Sequence, residues 1–249
     1  YFVLETDAAQ AEKLYSHLKR FIIMDQVEFL PAQEWFALGV QGPKADEILR
    51  AAGFKNPALQ PLQVADVDWN GAKASLVHSD DQSAPGYQLW LDSSQAASAW
   101  DALTNAGATP AGTEALEMAR IAAGIPRYGQ DIRERDLPQE TGQMRALSFT
   151  KGCYIGQEIV ERIRARGKLH RGFTGFRISE GRSLPVPGAK VQSAGKEVGE
   201  ITSATQLPGK AQPLLVALGY IRTEAGGPGT SVDIGSCRAT VETLPFTPD

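Results

Sequence analysis

Lys151-Gly152-Cys153-Tyr154-Ile155-Gly156-Gln157-Glu158 is the stretch from which the rest of the chain is read. It carries one of only two cysteines, two residues after a lysine and just ahead of a helical pattern. A thiol reacts as its thiolate, and a nearby ammonium or a helix N-terminus favours that form. Gly152 and Gly156 let the backbone turn where a Cβ would resist. The segment therefore reads as a shaped loop that presents Cys153 at the mouth of a helix. The plain alternative is a tight turn holding a half-buried structural cysteine.

Downstream, Ile155, Ile159 and Ile163 stand four apart, and Glu158 and Arg162 form an i,i+4 pair in the favoured orientation, so a helix is expected to about Ala165. A rival reading starts from the alternation of Arg162, Arg164, Arg166, Lys168 and His170, which has strand period and would make one basic face. From Leu169 the pattern changes. Phe173–Ile178, Lys190–Gln192, Glu197–Thr205, Leu214–Ile221, Ser231–Ile234 and Cys237–Glu242 read as short strands with Gly or Pro between most of them. Such spacing predicts a small antiparallel β-barrel. Cys237 falls in a strand and reads as core.

Upstream, Ala11, Leu14, Tyr15 and Leu18 have helical spacing behind the N-cap candidate Asp7. Ile22 to Leu30 suggests a helix turn and then a strand. Trp35–Val40 reads as a buried strand, broken by Gln41-Gly42-Pro43 and followed by a helix from Lys44 to Ala52. Strands are expected at Leu62–Val67 and Ala74–His78, joined through Asn70-Gly71, a strong hairpin signal. Pro85-Gly86 opens a strand at Tyr87–Leu91. Helices follow over Ser94–Ala106, with Ala97, Trp100 and Leu103 on one face, and over Thr113–Ala123. This order predicts an α+β layer with an antiparallel sheet.

The 249 residues exceed one typical domain. With 42% hydrophobic and 22% charged residues the composition is that of a globular chain. A net charge of −4 supplies no drive toward nucleic acid, and direct nucleic-acid binding is not expected. No apolar run approaches the roughly 20 residues of a membrane helix. Two distant cysteines make no disulfide framework and point to a reducing compartment, so the expected location is cytoplasmic, or the mitochondrial matrix if the source is eukaryotic. His17, His78 and His170 lack metal-ligand spacing, and no metal site is expected. Tyr1-Phe2-Val3-Leu4 reads as the middle of a domain, so part of the first domain is expected upstream.

Lys-Gly-Cys-Tyr-x-Gly-Gln-Glu, with Ile155 at the variable position, resembles the signature of the YgfZ family, folate-binding relatives of the glycine-cleavage aminomethyltransferase (T-protein). The strand, Gln41-Gly42-Pro43 and helix order, the Arg120 to Tyr128-Gly129-Gln130-Asp131 segment, and Pro187-Gly188-Ala189 with the closing Leu244-Pro245-Phe246 resemble the same superfamily. The resemblance implies an α+β, T-protein-like multidomain ring of ferredoxin-like layers with a C-terminal antiparallel β-barrel. Its parts would be residues 1–55 as the remainder of the first domain, 56–167 as the second, and 168–249 as the barrel. Tetrahydrofolate, or a one-carbon derivative, is the implied cofactor. Asp131 is the implied grip on the pterin edge, because a carboxylate accepts two adjacent N–H donors together. Tyr128, Tyr154 and Gln157 are the further implied folate contacts, with Gln157 standing where the aminomethyltransferases carry a basic residue. Against this, Asp131 among Arg133, Glu134, Arg135 and Asp136 also reads as a solvated loop of mixed charge. Cys153 and Lys151 are the implied reactive pair. One motif cysteine cannot supply the four ligands of a usual iron–sulfur cluster. The implied role is assistance to assembly or repair of clusters in iron–sulfur client proteins, including radical enzymes that thiolate tRNA. Two other classes stay open: a folate-dependent aminomethyltransferase or methyltransferase, and a folate-binding module without turnover.

Overall fold

The computed structural model describes residues 3–24, 26–30, 35–55, 58–79, 86–167, 169–180, 183–210 and 212–247, the side chain of residue 166 excepted. By packing, the chain forms two compact units, residues 1–79 with 86–107, and residues 80–85 with 108–249. The division near residue 107 falls inside the second of the three parts expected from the sequence. Residues 108–167 pack on the barrel, chiefly through a helix against two of its strands.

The first unit contains α1 (Ala8–Lys19), β1 (Trp35–Gln41), α2 (Ala45–Ala51), β2 (Val64–Trp69), β3 (Ala72–His78), β4 (Gly86–Asp92) and α3 (Ala96–Asn105). Its sheet runs β1-β4-β3-β2, with every pairing antiparallel. Asn70 and Gly71 both take positive φ, 51° and 79°, as a two-residue hairpin turn between right-twisted strands requires. β1 is buried on one face only. Leu38 and Val40 enter the core, whereas Trp35 on the opposite face remains exposed, because successive strand residues point to opposite faces; Phe36, near the start of the strand on the Leu38 face, is exposed too. α2 stops at Gly53, and Phe54 then stacks on Trp69 at 4.8 Å between ring centroids.

Two expectations for this unit are corrected. Residues 22–24 and 26–30 form no regular element; neither edge strand, β1 or β2, pairs with them, so a strand there would have no ladder. On α3 the buried positions are Ala99 and Leu103, not Ala97 and Trp100. The small Ala99 permits the close approach to α2 and β1, and the bulky indole stays outside.

The second unit contains α4 (Thr113–Ala122), 3-10 turns at Pro138–Thr141 and Met144–Ala146, and α5 (Gln157–Arg166). Six strands follow: β5 (Arg171–Glu180), β6 (Lys190–Ser193), β7 (Lys196–Leu207), β8 (Leu214–Arg222), β9 (Ser231–Ile234) and β10 (Cys237–Glu242). They close in the order β10-β5-β8-β7-β6-β9, antiparallel throughout, so no strand edge is left open to other chains. The six strands expected from the sequence are all present. Phe176, Val191, Ile201, Ala217, Ile234 and Ala239 fill the core, with Cys237 among them. On another face of β8, Val216 and Leu218 pack with Ile121 of α4 and Phe246. β7 and β8 cross closely: a Cβ on Gly219 would lie 2.3 Å from the Glu200 carbonyl oxygen, and one on Gly199 would lie 2.1 Å from that of Tyr220.

Candidate functional site

The Cys153 loop is closed by its own residues. Gly156 ends it with φ +83°, a backbone state that a side chain disfavours, and stands at the N-cap of α5. The Tyr154 N–H donates to Gln157 Oε1 at 3.1 Å, and the Gln157 N–H returns to the Tyr154 carbonyl at 3.3 Å. The Lys151 ammonium rests 4.6 Å from the centre of the Tyr154 ring, a cation–π contact. Lys151, Tyr154 and Gln157 are thus joined to one another, and Cys153, which lies between the first two in the chain, carries an exposed free thiol.

α5 is a helix, and the strand-period reading of Arg162 to His170 is set aside; β5 begins only at Arg171. On the helix Arg164 covers the Phe149 ring at 4.7 Å and lies 3.5 Å from Glu161. The buried position is Val160, while Ile155 and Ile159 are exposed. The helix is short, and Gln139 of the Pro138–Thr141 turn donates through Nε2 to the Val160 carbonyl at 3.0 Å.

Asp131 lies elsewhere. It is fully buried, so the solvated-loop reading is corrected. Its Oδ2 accepts from Arg120 Nη1 at 2.7 Å and from the Arg127 N–H at 2.9 Å. Its Oδ1 accepts from Ser203 Oγ at 2.7 Å and from the Thr202 hydroxyl. These four donors use the acceptor capacity that a pterin edge would need. Tyr128 is 43% exposed and bridges to Ile132 in the same turn. None of Asp131's partners belongs to the Cys153 loop.

A second charged joint continues along this segment. Arg171 at the start of β5 donates to Asp136 at 2.7 Å and to Glu140 at 3.0 Å, and its guanidinium covers the Tyr220 ring at 4.6 Å. Arg133 pairs with Glu200. Burial by itself would raise the Asp136 pKa; the Arg133 N–H and the Arg171 guanidinium outweigh it and hold the carboxyl below its ordinary value. Burial, with the Asp136 charge beside it, pushes the Tyr220 phenol up.

This unit has a cleft of about 450 Å³ lined by residues 123–125, 141–145, 173–174, 228 and 243–245. Its size falls within the usual range for small-molecule sites. Phe173, Met144 and Leu244 supply apolar surface, while Thr141, Gln143 and Arg145 supply polar groups. None of the six residues expected from the sequence lines it. The signal for it was tertiary, because its walls come from segments more than 100 residues apart.

A family model described as GCVT N-terminal domain matches residues 1–151. The chain belongs to the GCVT N-terminal domain family. The match stops at Lys151, so Cys153 lies just beyond it. Among similar proteins, an aminomethyltransferase of Rubrobacter xylanophilus is 32% identical over 91% of this chain and 60% of its own length. Another, of Geobacillus kaustophilus, is 31% identical over 98% of this chain and 69% of its own. This member of the family thus spans about two thirds or less of these relatives. The aminomethyltransferase T of the glycine cleavage system from Bartonella henselae has the same fold, with a TM-score of 0.82 over 97% of this chain and 67% of that one, at 23% identity. The expected α+β, T-protein-like fold with a C-terminal antiparallel barrel is therefore present. Among the described residues of this GCVT-family chain no helix is long and apolar enough to cross a membrane, and no group of three or more His, Cys, Asp or Glu could hold a metal ion.

Proposed function

We propose that this chain binds tetrahydrofolate, or a one-carbon derivative, in the cleft beside residues 141–145, and that it serves one-carbon transfer of the kind its relatives are named for. The observation that carries this reading is the cleft itself, large enough for a folate and mixed in character. Phe173 and Met144 suit the faces of a flat heterocycle, Thr141 and Gln143 suit its polar edge, and Arg145 suits a carboxylate tail. Folate would supply the one-carbon unit; the chain would bind and orient it. Support for transfer chemistry comes from the aminomethyltransferase names of the relatives.

Titration of the chain with tetrahydrofolate tests the binding step. Saturable binding that weakens about tenfold in Arg145→Ala is expected, the cost of one charge-assisted contact. Binding unchanged in that variant would remove the cleft from the proposal. Folate recovered unchanged from a complete assay with glycine-cleavage partners would instead favour a binding module without turnover.

A second reading rests on the exposed Cys153 thiol and the octapeptide around it. In that reading the chain is of the YgfZ type and maintains iron–sulfur clusters in client proteins in the cytoplasm, with Cys153 reactive, Lys151 beside it, and Tyr128, Asp131, Tyr154 and Gln157 as folate-side residues. The three parts 1–55, 56–167 and 168–249 belong to the same reading. A strain lacking the protein separates the two proposals. Loss and rescue of glycine cleavage alone supports transfer, whereas loss and rescue of a cluster-dependent tRNA-thiolating enzyme alone supports maintenance.

A further inference from the structure

One wall of the cleft beside residues 141–145 is set in place by two glycines. Leu244, just after β10, lines the cleft with a half-buried side chain. A Cβ on Gly124, another lining residue, would lie 2.6 Å from the Leu244 Cβ and 3.0 Å from each of its methyl carbons. A Cβ on Gly175 of β5 would lie 2.9 Å from Leu244 Cδ2 and 2.7 Å from the Phe246 ring. Contacts so short are repulsive, so only glycine at both positions leaves the notch in which Leu244 sits. Gly124 is required twice over, since its φ of +70° also disfavours a side chain.

The backbone around Leu244 is tied from two sides. The Phe246 N–H donates to the Ala122 carbonyl at the end of α4 at 2.9 Å, and Thr174 Oγ1 of β5 donates to the Glu242 carbonyl at 2.9 Å. Behind the side chain stand Ile121, Val216, Leu218 and Phe246, all buried. Leu244 therefore has no room to retreat, and its free side is the cleft. Phe173, which also lines the cleft, packs on the same four residues.

We infer that Leu244 is a specificity-determining residue of this cleft, limiting the size of the one-carbon unit that a folate ring laid on Phe173 can carry. The inference rests on the folate reading above. A fixed apolar wall refuses an added group instead of yielding to it, and a methylene's worth of space in such a wall discriminates by about 10–200-fold. The cleft therefore favours a methyl-sized unit over the bulkier formyl.

Calorimetric titration of the whole chain with 5-methyl- and 5-formyltetrahydrofolate tests this. The parent should bind the methyl form at least about tenfold more tightly. Leu244→Ala should bring the two affinities within about threefold of each other, mainly by tightening the formyl form. Arg145→Ala, which acts on the carboxylate tail, should weaken both alike and keep the parental ratio. Gly124→Ala pushes Leu244 into the cleft and should weaken both forms by at least about tenfold. Adding Leu244→Gly, which removes the carbon that the new methyl strikes, should restore binding, a coupling that damage to folding alone would not produce. A parental ratio near one, a ratio unchanged in Leu244→Ala, or a ratio changed as much in Arg145→Ala overturns the role of Leu244 and leaves folate binding standing. No binding of either form by the parent overturns the folate reading and this inference with it.

Discussion

Arg120 of α4 and Asp131 form a buried ion pair at 2.7 Å, and through Thr202 and Ser203 the same carboxylate fastens this segment to β7. Arg120 also chelates Glu117, and Arg127 reaches Glu117 from the other side at 2.8 Å. The carboxylate is therefore a structural joint.

Asp131→Asn should destabilise the chain by about 3–5 kcal/mol, the usual cost of leaving one partner of a buried pair uncompensated. Urea unfolding followed by circular dichroism measures it. A variant with the parental midpoint that has lost folate binding would return Asp131 to the ligand role implied by the resemblance.

Acid should weaken the same region. Asp136 and Glu117 both titrate below their ordinary values, 3.8 and 4.5. For Glu117 the Arg120 hydrogen bonds are the main cause. A carboxyl whose folded pKa is depressed contributes stability that is complete above the ordinary value and is lost as pH falls through the folded one. Melting temperature should therefore hold down to about pH 5 and fall steeply below pH 4. Asp136→Asn should melt lower at neutral pH and show a shallower acid decline; an acid limb identical to the parent's would mean that this pair is not involved.

The two thiols should separate cleanly. Cys153 is exposed, while Cys237 is buried in the barrel with its sulfur 3.6 Å from the Ser183 carbonyl. A maleimide should label one thiol in the native chain and the second only after unfolding. Cys153→Ala should leave stability within about 0.5 kcal/mol, as surface changes do. If both thiols label at the same rate, the burial of Cys237 is wrong. If cellular activity survives Cys153→Ala intact, a chemical role for the thiol is excluded.

Gly219→Ala probes the barrel crossing. Its new Cβ would meet the Glu200 carbonyl oxygen at 2.3 Å and the Ile201 Cα at 3.0 Å, backbone atoms of β7 that no side-chain rotation can move. A loss of about 3 kcal/mol or more is expected from such overpacking. Gly227→Ala, where a Cβ meets nothing within 4 Å, is the matched control. Equal melting temperatures for the two would sink the close-crossing account.

Legibility from sequence varied with the kind of signal. Period-two runs bounded by Gly and Pro located all six barrel strands, because each strand carries its own alternation and its own stops. Asn70-Gly71 located the hairpin, since few other pairs tolerate positive φ twice. Residues 22–30 failed because apolar composition cannot say whether a pairing partner exists. Trp100 lies outside the buried edge of α3, since a repeat of three or four defines a stripe without saying which edge of it meets the core. Asp131 was read as solvated or ligand-gripping because its neighbours in sequence are charged; Thr202 and Ser203, some seventy residues on, are what bury it.

By itself, then, the sequence determined the class of the fold, the strands of the barrel, the helix after Cys153 and the exposed loop ahead of it, all of which follow from local periodicity and turn chemistry. Only the tertiary structure decided which charges are spent inside the molecule and where its clefts lie. Ion pairs such as Arg120–Asp131 and Arg171–Asp136, and walls that join residue 124 to residue 244, depend on distances between segments remote in the chain. Those distances are set by how the barrel closes and how α4 lies against it, and no single stretch of residues carries that information.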